Sequence, residues 1–232
     1  MQAVIMAGGM GTRLRPLTYA IPKPLLPIGE TPILELILRR LRRAGIRDVL
    51  IATGYRSELI ETYFGDGRKW GVRINYTRET APLGTAGILR RLRHRLRGDF
   101  LLMNGDVLTE LDFRVMHRAH HSGDAQITVG VRALETEIPY GVLECRGDDI
   151  VAITEKPRLR SLISAGVYIV HPGVIGLIPA RGRYDMPQLI TAAIAAGRRV
   201  IKFQIKGYWM DIGHLDDYQR AVDDMRHHRV RP

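Results

Sequence analysis

The sequence predicts an α/β fold: a mostly parallel central sheet with helices on both faces, extended by antiparallel strands in the second half. Three observations predict it. Residues 2–7, 48–53, 73–78 and 100–104 read as buried strands. Stretches at 33–44, 56–64, 85–96 and 112–121 read as helices between or after them, and repeated strand–helix–strand units argue for parallel pairing. Further on, strand-like runs at 126–132, 141–145, 150–154 and 165–170 are joined by short connections, which suit antiparallel neighbours. A helix at 186–196, a strand at 200–205 and a helix from 214 to 227 complete the chain, and the tail from His227 to Pro232 is expected to fray.

Composition narrows the function classes. The 232 residues suit one domain, and 45% apolar content is enough for a substantial core. No apolar run reaches the roughly 18 residues that a membrane span needs. The apolar N-terminus, Met1 to Ala7, is short, has no basic lead and runs straight into glycines, so it reads as a strand rather than a signal peptide. Cys145 is the single cysteine, which excludes an internal disulfide or a CxxC redox pair, and a cytoplasmic location is expected. The net charge of +11 fits nucleic acid, small polyanions or plain compositional bias. Much of the arginine sits in Arg39-Arg40-Leu41-Arg42-Arg43 and in the run from Arg90 to Arg97. Both runs close predicted helices, where cations complement the helix dipole. Basic and aromatic residues do not interleave as on a single-strand stacking platform.

The chemistry begins where the first strand ends. Ala7-Gly8-Gly9-Met10-Gly11-Thr12-Arg13-Leu14 is a glycine-rich turn. Such a turn can bring backbone N–H groups close to phosphates, and Arg13 adds a fork of donors. It lacks the Gly-Lys-Ser/Thr ending of a Walker loop, and Gly9-Met10-Gly11 continues to Leu14 rather than to the third glycine of a dinucleotide fingerprint. Pro22-Lys23-Pro24 follows, its prolines stiffening the backbone around a lysine suited to phosphate.

These residues resemble the sugar-1-phosphate nucleotidyltransferase family, whose signature is G-G-x-G-T-R-L-x-P-L-T followed by P-K-P. The resemblance covers nearly the whole chain, because later motifs recur in order. It implies a Rossmann-like three-layer α/β/α sandwich, and a single nucleotidyltransferase domain over 1–232 without the C-terminal β-helix that many members carry. It also implies which residues bind. Ala7, Gly8, Gly9, Gly11, Thr12, Arg13, Lys23, Glu79, Pro82, Gly84, Thr85 and Asn104 match the nucleotide-binding positions. Pro82-Leu83-Gly84-Thr85-Ala86-Gly87, opening a helix, looks like the form found in mannose-1-phosphate and heptose-1-phosphate guanylyltransferases, which favours GTP.

Asp106, at the end of the apolar strand Phe100 to Asn104, has the alternative of being a turn residue, but beside phosphate-binding loops it reads as a metal ligand; Asp211, in Trp209-Met210-Asp211-Ile212-Gly213, matches the family's metal-binding aspartate. Mg²⁺ suits one or two carboxylates completed by phosphate oxygens and water. Trp209 has the alternative of being core. For the sugar phosphate, Tyr140 and Gly141 lie in the P-Y-G-V match, Glu155 and Lys156 in E-K-P, and Ser164 and Gly166 in the N-A-G-I-Y match, where Ser164 replaces the usual asparagine and removes an amide donor. Asp185 reads as a helix N-cap. His120-His121 and His227-His228 read as solvated rather than metal-binding, since no H-x-E or H-E-x-x-H pattern occurs.

The implied reaction joins an NTP and a sugar 1-phosphate into an NDP-sugar and releases pyrophosphate, with Arg13, Lys23, Asp106 and Asp211 as the catalytic set. UTP, dTTP, CTP or ATP with another hexose or amino-sugar 1-phosphate is the alternative within the class. The expected partners are the two substrates and not nucleic acid or a membrane; members of the family often self-associate, which would make a homo-oligomer. A non-catalytic nucleotide- or nucleic-acid-binding module is the rival class, and paired aspartates argue against it because they would repel an anionic ligand without a metal. A dinucleotide-dependent oxidoreductase would need an acidic residue directly after the second strand, where Thr53-Gly54-Tyr55-Arg56 offers none before Glu58.

Overall fold

A computed structural model describes residues 1–227. The first half runs β1 (Gln2–Ala7), β2 (Pro27–Ile28), β3 (Thr31–Pro32), α1 (Ile33–Arg43), β4 (Asp48–Thr53), α2 (Ser57–Phe64), β5 (Arg73–Arg78), α3 (Leu89–Leu92), β6 (Phe100–Asn104), β7 (Val107–Thr109) and α4 (Phe113–Ser122). The second half runs β8 (Ile127–Glu137), β9 (Val142–Arg146), β10 (Asp149–Thr154), β11 (Arg158–Val170), α5 (Met186–Ala195), β12 (Val200–Gln204), β13 (Trp209–Asp211) and α6 (Leu215–Arg226).

Seven strands form the central sheet in the order β12-β8-β11-β6-β1-β4-β5. β1 pairs in parallel with β4 and β6, with Ala3 opposite both Val49 and Leu101, and β4 pairs in parallel with β5. β11 runs antiparallel to both β6 and β8, and β12 is parallel to β8. The second half therefore contributes one reversed strand, and β8 and β12 return to the common direction. The pleat divides the core in two. Ala3, Ile5, Leu101 and Met103 face α1, α2, α4 and α6, whereas Val4, Phe100 and Leu102 face α3 and α5. This is the predicted three-layer sandwich. Strand alternation supplies both faces because parallel strands buried on two sides read as continuous apolar runs.

Four expectations need correction. The run 73–78 is an edge strand rather than a buried one: only Ile74 is fully buried there. The helix read over 85–96 closes as an α-helix only at Leu89–Leu92, because the Ala86 and Gly87 amides donate to Tyr184 O at 2.9 and 2.8 Å, outside any helix. The runs read at 126–132 and 165–170 belong to much longer strands, β8 and β11, that project past the core. His120 is not solvated; it is buried, with Nδ1 2.8 Å from Thr128 Oγ1. His228 and most of the tail lie outside the described residues.

The projecting part of β8 and β11, with the β9–β10 hairpin between them, makes an exposed arm. Pairing shifts register between Ser164 and Tyr168, and Gly166 sits there at φ 68°. The bulge separates the buried stretch from Ala165 to Val170 from the largely exposed one before it. Every residue of β9 and β10 is exposed, including Cys145. No helix among the described residues is long and apolar enough to cross a membrane.

Candidate active site

Beyond the carboxyl ends of β1, β4 and β6 lies a cleft of about 780 Å³. That is where an open α/β sheet presents its loops, and the size suits a nucleotide-scale ligand. All twelve residues expected to bind nucleotide line it: Ala7, Gly8, Gly9, Gly11, Thr12, Arg13, Lys23, Glu79, Pro82, Gly84, Thr85 and Asn104.

Local sequence explains how each wall stands. Gly11 adopts φ 62°, and Thr18 donates its hydroxyl to Gly11 O at 2.8 Å. Leu14, fully buried, anchors the far side of the turn. Gly8 and Gly54 meet closely: a Cβ on Gly54 would fall 2.5 Å from Gly8 O. Pro22, Pro24 and Leu26 are buried on alternate positions, so the short 3₁₀ turn Lys23–Leu25 is held firmly while Lys23 turns into the cleft. Glu79 forms part of the wall beside Gly8. Its Oε2 accepts from Leu83 N at 3.1 Å, and burial pushes its carboxyl above the usual range.

Pro82, Gly84 and Thr85 line the cleft, while three amides of the same segment are engaged within the chain: Thr85 N donates to Asp185 Oδ1 at 2.8 Å, and those of Ala86 and Gly87 donate to Tyr184 O. Gly84, at φ 83°, would place a Cβ 2.5 Å from the same Tyr184 O. Asp185 caps α5 as expected, with its own N–H donating to Gln188 Oε1 at 2.8 Å, but it also stitches α5 to this wall. Burial alone would raise its carboxyl; the Thr85 amide and Arg183 outweigh that and hold it low.

Asp106 and Asp211 stand side by side. β13 pairs antiparallel with β7, setting Asp211 opposite Val107, and Ile212 N donates to Asp106 O at 3.1 Å. Lys23 Nζ donates to Asp106 Oδ2. Asp106 Oδ1 and Asp211 Oδ1 are both buried without a hydrogen-bond partner. Burial, then the neighbouring Asp106 charge, raise the Asp211 carboxyl; Lys23 and Arg13 pull the other way. Two orphaned, adjacent carboxylate oxygens are costly unless a cation satisfies them, so this donor set fits a hard divalent ion. Trp209 is half-buried and donates its indole N–H to Ala165 O at 2.9 Å, which ties β13 to β11.

The residues expected at the sugar phosphate divide between the cleft's edge and the arm. Gly166 adjoins Asn104: a Cβ there would be 2.7 Å from Asn104 Nδ2. Ser164 Oγ lies 2.8 Å from Tyr168 OH. Tyr140, Gly141, Glu155 and Lys156 cluster on the exposed arm, with Glu155 Oε2 close to Gly141 and Lys156 N donating to Tyr140 O at 3.3 Å. None of the four lines the cleft.

Sequence reasoning missed several wall residues. Tyr55, Arg183 and Gly213 line the cleft, and His214 Nε2 lies 3.4 Å from Arg13 Nη1. The glycine directly after β4 and the basic residue before Tyr184-Asp185 were the available signals, and neither has a spacing that singles it out.

A family model described as nucleotidyl transferase matches residues 2–228. D-glycero-alpha-D-manno-heptose 1-phosphate guanylyltransferase of Aneurinibacillus thermoaerophilus is 33% identical over 230 residues, covering 98% of this chain and 100% of that protein. Mannose-1-phosphate guanyltransferase of Yarrowia lipolytica is 36% identical over 230 residues, covering 94% of this chain and 62% of the relative. Among solved structures, a putative glucose-1-phosphate thymidylyltransferase from Bacillus anthracis superposes with a TM-score of 0.80 at 25% identity, covering 97% of this chain and 96% of that one.

Proposed function

Because the chain belongs to the nucleotidyl transferase family, we propose that it transfers GMP from GTP to a mannose- or heptose-type 1-phosphate, giving a GDP-sugar and pyrophosphate. The observation that carries the reading is the pair of orphaned oxygens on Asp106, which lines a glycine-walled cleft, and on its neighbour Asp211. The two core faces share one sheet, which supports a single catalytic domain.

Asp106 and Asp211 would hold Mg²⁺, which when bound supplies Lewis-acid charge neutralisation for phosphoryl transfer. The rest falls to this chain's own groups. A phosphate monoester has its second pKa near about 6, so the acceptor is largely dianionic at neutral pH and needs no general base. One of its oxygens forms a bond to the α-phosphorus, and the bond from that phosphorus to the α–β bridging oxygen breaks. Pyrophosphate departs with the electron pair. Arg13 and the amides of residues 8–12 offset the charge of the triphosphate and of the departing pyrophosphate. Lys23, already in contact with Asp106, is placed to move between that carboxylate and phosphate oxygens. On the arm, Lys156 would meet the phosphate of the acceptor and Glu155 would accept from its sugar hydroxyls.

Glu79 supports guanine as the base. Guanine presents two N–H donors on one edge, which a carboxylate accepts together, whereas uracil and thymine present one. Pyrophosphate release measured over GTP, UTP, dTTP, CTP and ATP against a panel of sugar 1-phosphates, with and without Mg²⁺, tests the proposal. Release with GTP, a mannose- or heptose-type phosphate and the metal is expected. Release with another base would overturn the donor assignment, and none from any pair would overturn the reaction.

A further inference from the structure

A second group of ligand-type side chains lies at the opposite end of β6. His117 and His121 stand one turn apart on α4, where residues i and i+4 share a face. Their Nε2 atoms are 3.1 Å apart. Asp99, immediately before β6, reaches them from the sheet, with Oδ2 3.4 Å from His121 Nε2. The three candidate donor atoms all lie within 4.8 Å of one another.

The geometry points to a transition-metal site, with Zn²⁺ as the natural occupant, formed by Asp99, His117 and His121. Zinc bonds to imidazole nitrogen and carboxylate oxygen run about 2.0–2.2 Å, so ligand atoms on a tetrahedral site stand about 3.3 Å apart. The observed 3.1 and 3.4 Å match that edge. The Asp99 carboxylate also has hydrogen-bonding capacity left unmet. The Asp99 side chain is only 9% exposed, and its Oδ1 is buried without a hydrogen-bond partner. Buried His120 faces the same carboxylate, its Nε2 3.7 Å from Asp99 Oδ2, and its ring is fixed by Thr128. The exposed edge of His121 leaves room for water to complete four-coordination. Two imidazoles and one carboxylate select zinc or its softer neighbours over Mg²⁺, which prefers oxygen alone.

This site is separate from the cleft. Asp99 precedes the first residue of β6 and Asp106 follows its last, a span of roughly 20 Å at about 3.3 Å per residue. A bound ion would pin the second half of α4 to the start of β6, so its role is to hold the frame, not to take part in transfer.

The test uses the full chain, stripped of metal and titrated with Zn²⁺ and with Co²⁺. Wild type should bind one equivalent of Zn²⁺ outside the cleft, gain thermal stability and give the visible spectrum of four-coordinate Co²⁺, all unaffected by millimolar Mg²⁺. D106N/D211N should retain this site. H117Q/H121Q should lose affinity by at least about tenfold, given that even supporting contacts to ligands are worth 10–100-fold. D99N, which keeps the side-chain shape, should do the same and covers the case in which the double variant fails to fold. Absence of the Co²⁺ spectrum and of any Zn²⁺-induced stabilisation in wild type would overturn the inference and leave a histidine–carboxylate ion pair. Unchanged titration of folded D99N would overturn it as well.

Discussion

Lys23 donates to one oxygen of Asp106, and the other oxygen of that carboxylate is buried without a partner. The lysine thus neutralises half of a two-carboxylate cluster and leaves the other half for a cation. Lys23 is 12% exposed and Asp106 23%, so water screens the pair poorly.

Replacing Lys23 by Met should therefore do two opposite things. Turnover should fall by about 10²–10³, the usual loss when one preorganised charge-stabilising group is removed. Divalent metal should stabilise K23M more than it stabilises wild type, because Asp106 and Asp211 then lack their internal cation. Pyrophosphate release at saturating Mg²⁺ and melting curves with and without metal measure both.

Asp211→Asn should abolish transfer yet stabilise the metal-free protein at neutral pH. Burial and Asp106 raise the carboxyl of Asp211 above its unfolded value. Such a group contributes stability that is fully present below the unfolded pKa and lost as pH rises through the raised folded one. The melting temperature of D211N should thus match wild type in acid and exceed it increasingly as pH climbs out of the carboxylate range. Mg²⁺ should narrow that gap by stabilising only the wild type.

Glu79→Gln probes the base. If the carboxylate accepts two guanine donors, its loss should reduce kcat/KM for GTP by roughly 10–100-fold, as expected for hydrogen bonds to a charged group. UTP, with one donor, should suffer less. Equal losses for both nucleotides would remove Glu79 from base recognition.

Gly9 and Gly84 separate binding from folding. A Cβ on Gly9 meets nothing within 4 Å, although Gly9 lines the cleft. G9A should melt like wild type and raise KM for the nucleotide. A Cβ on Gly84 strikes Tyr184 O at 2.5 Å, and φ is 83°. G84A should lose stability by at least about 1–3 kcal/mol from backbone strain alone. Thermal melts beside steady-state kinetics distinguish the two.

The legible part of this molecule is what physics writes locally. Apolar runs named β1, β4 and β6, and the short-range chemistry of Gly8 to Arg13 and Pro22 to Pro24 named part of the cleft's wall. What was not legible depends on partners far along the chain. Nothing between Gly84 and Leu96 says that Tyr184 will take the amides of Ala86 and Gly87 and shorten that helix. Val142-Leu143 and Ile150 to Ile153 are apolar enough to read as buried strands, and only the long pairing of β8 with β11 past the bulge at Ser164 to Tyr168 carries them clear of the core. His117 and His121 have a readable i,i+4 spacing, but their carboxylate, Asp99, comes 18 residues before His117 and is delivered by the sheet.

The bulge at Gly166 has a consequence for inheritance. On the proposed assignment, the groups that choose the nucleotide sit on the rigid rim of the sheet, and most of those that choose the sugar sit on an arm whose packing owes little to that rim. Mutations in the arm can then be tried by selection at small structural cost, with the donor pocket undisturbed. A lineage built on this scaffold is free to change acceptors while keeping one donor. Exchanging residues 134–164 between two such proteins is the corresponding laboratory graft.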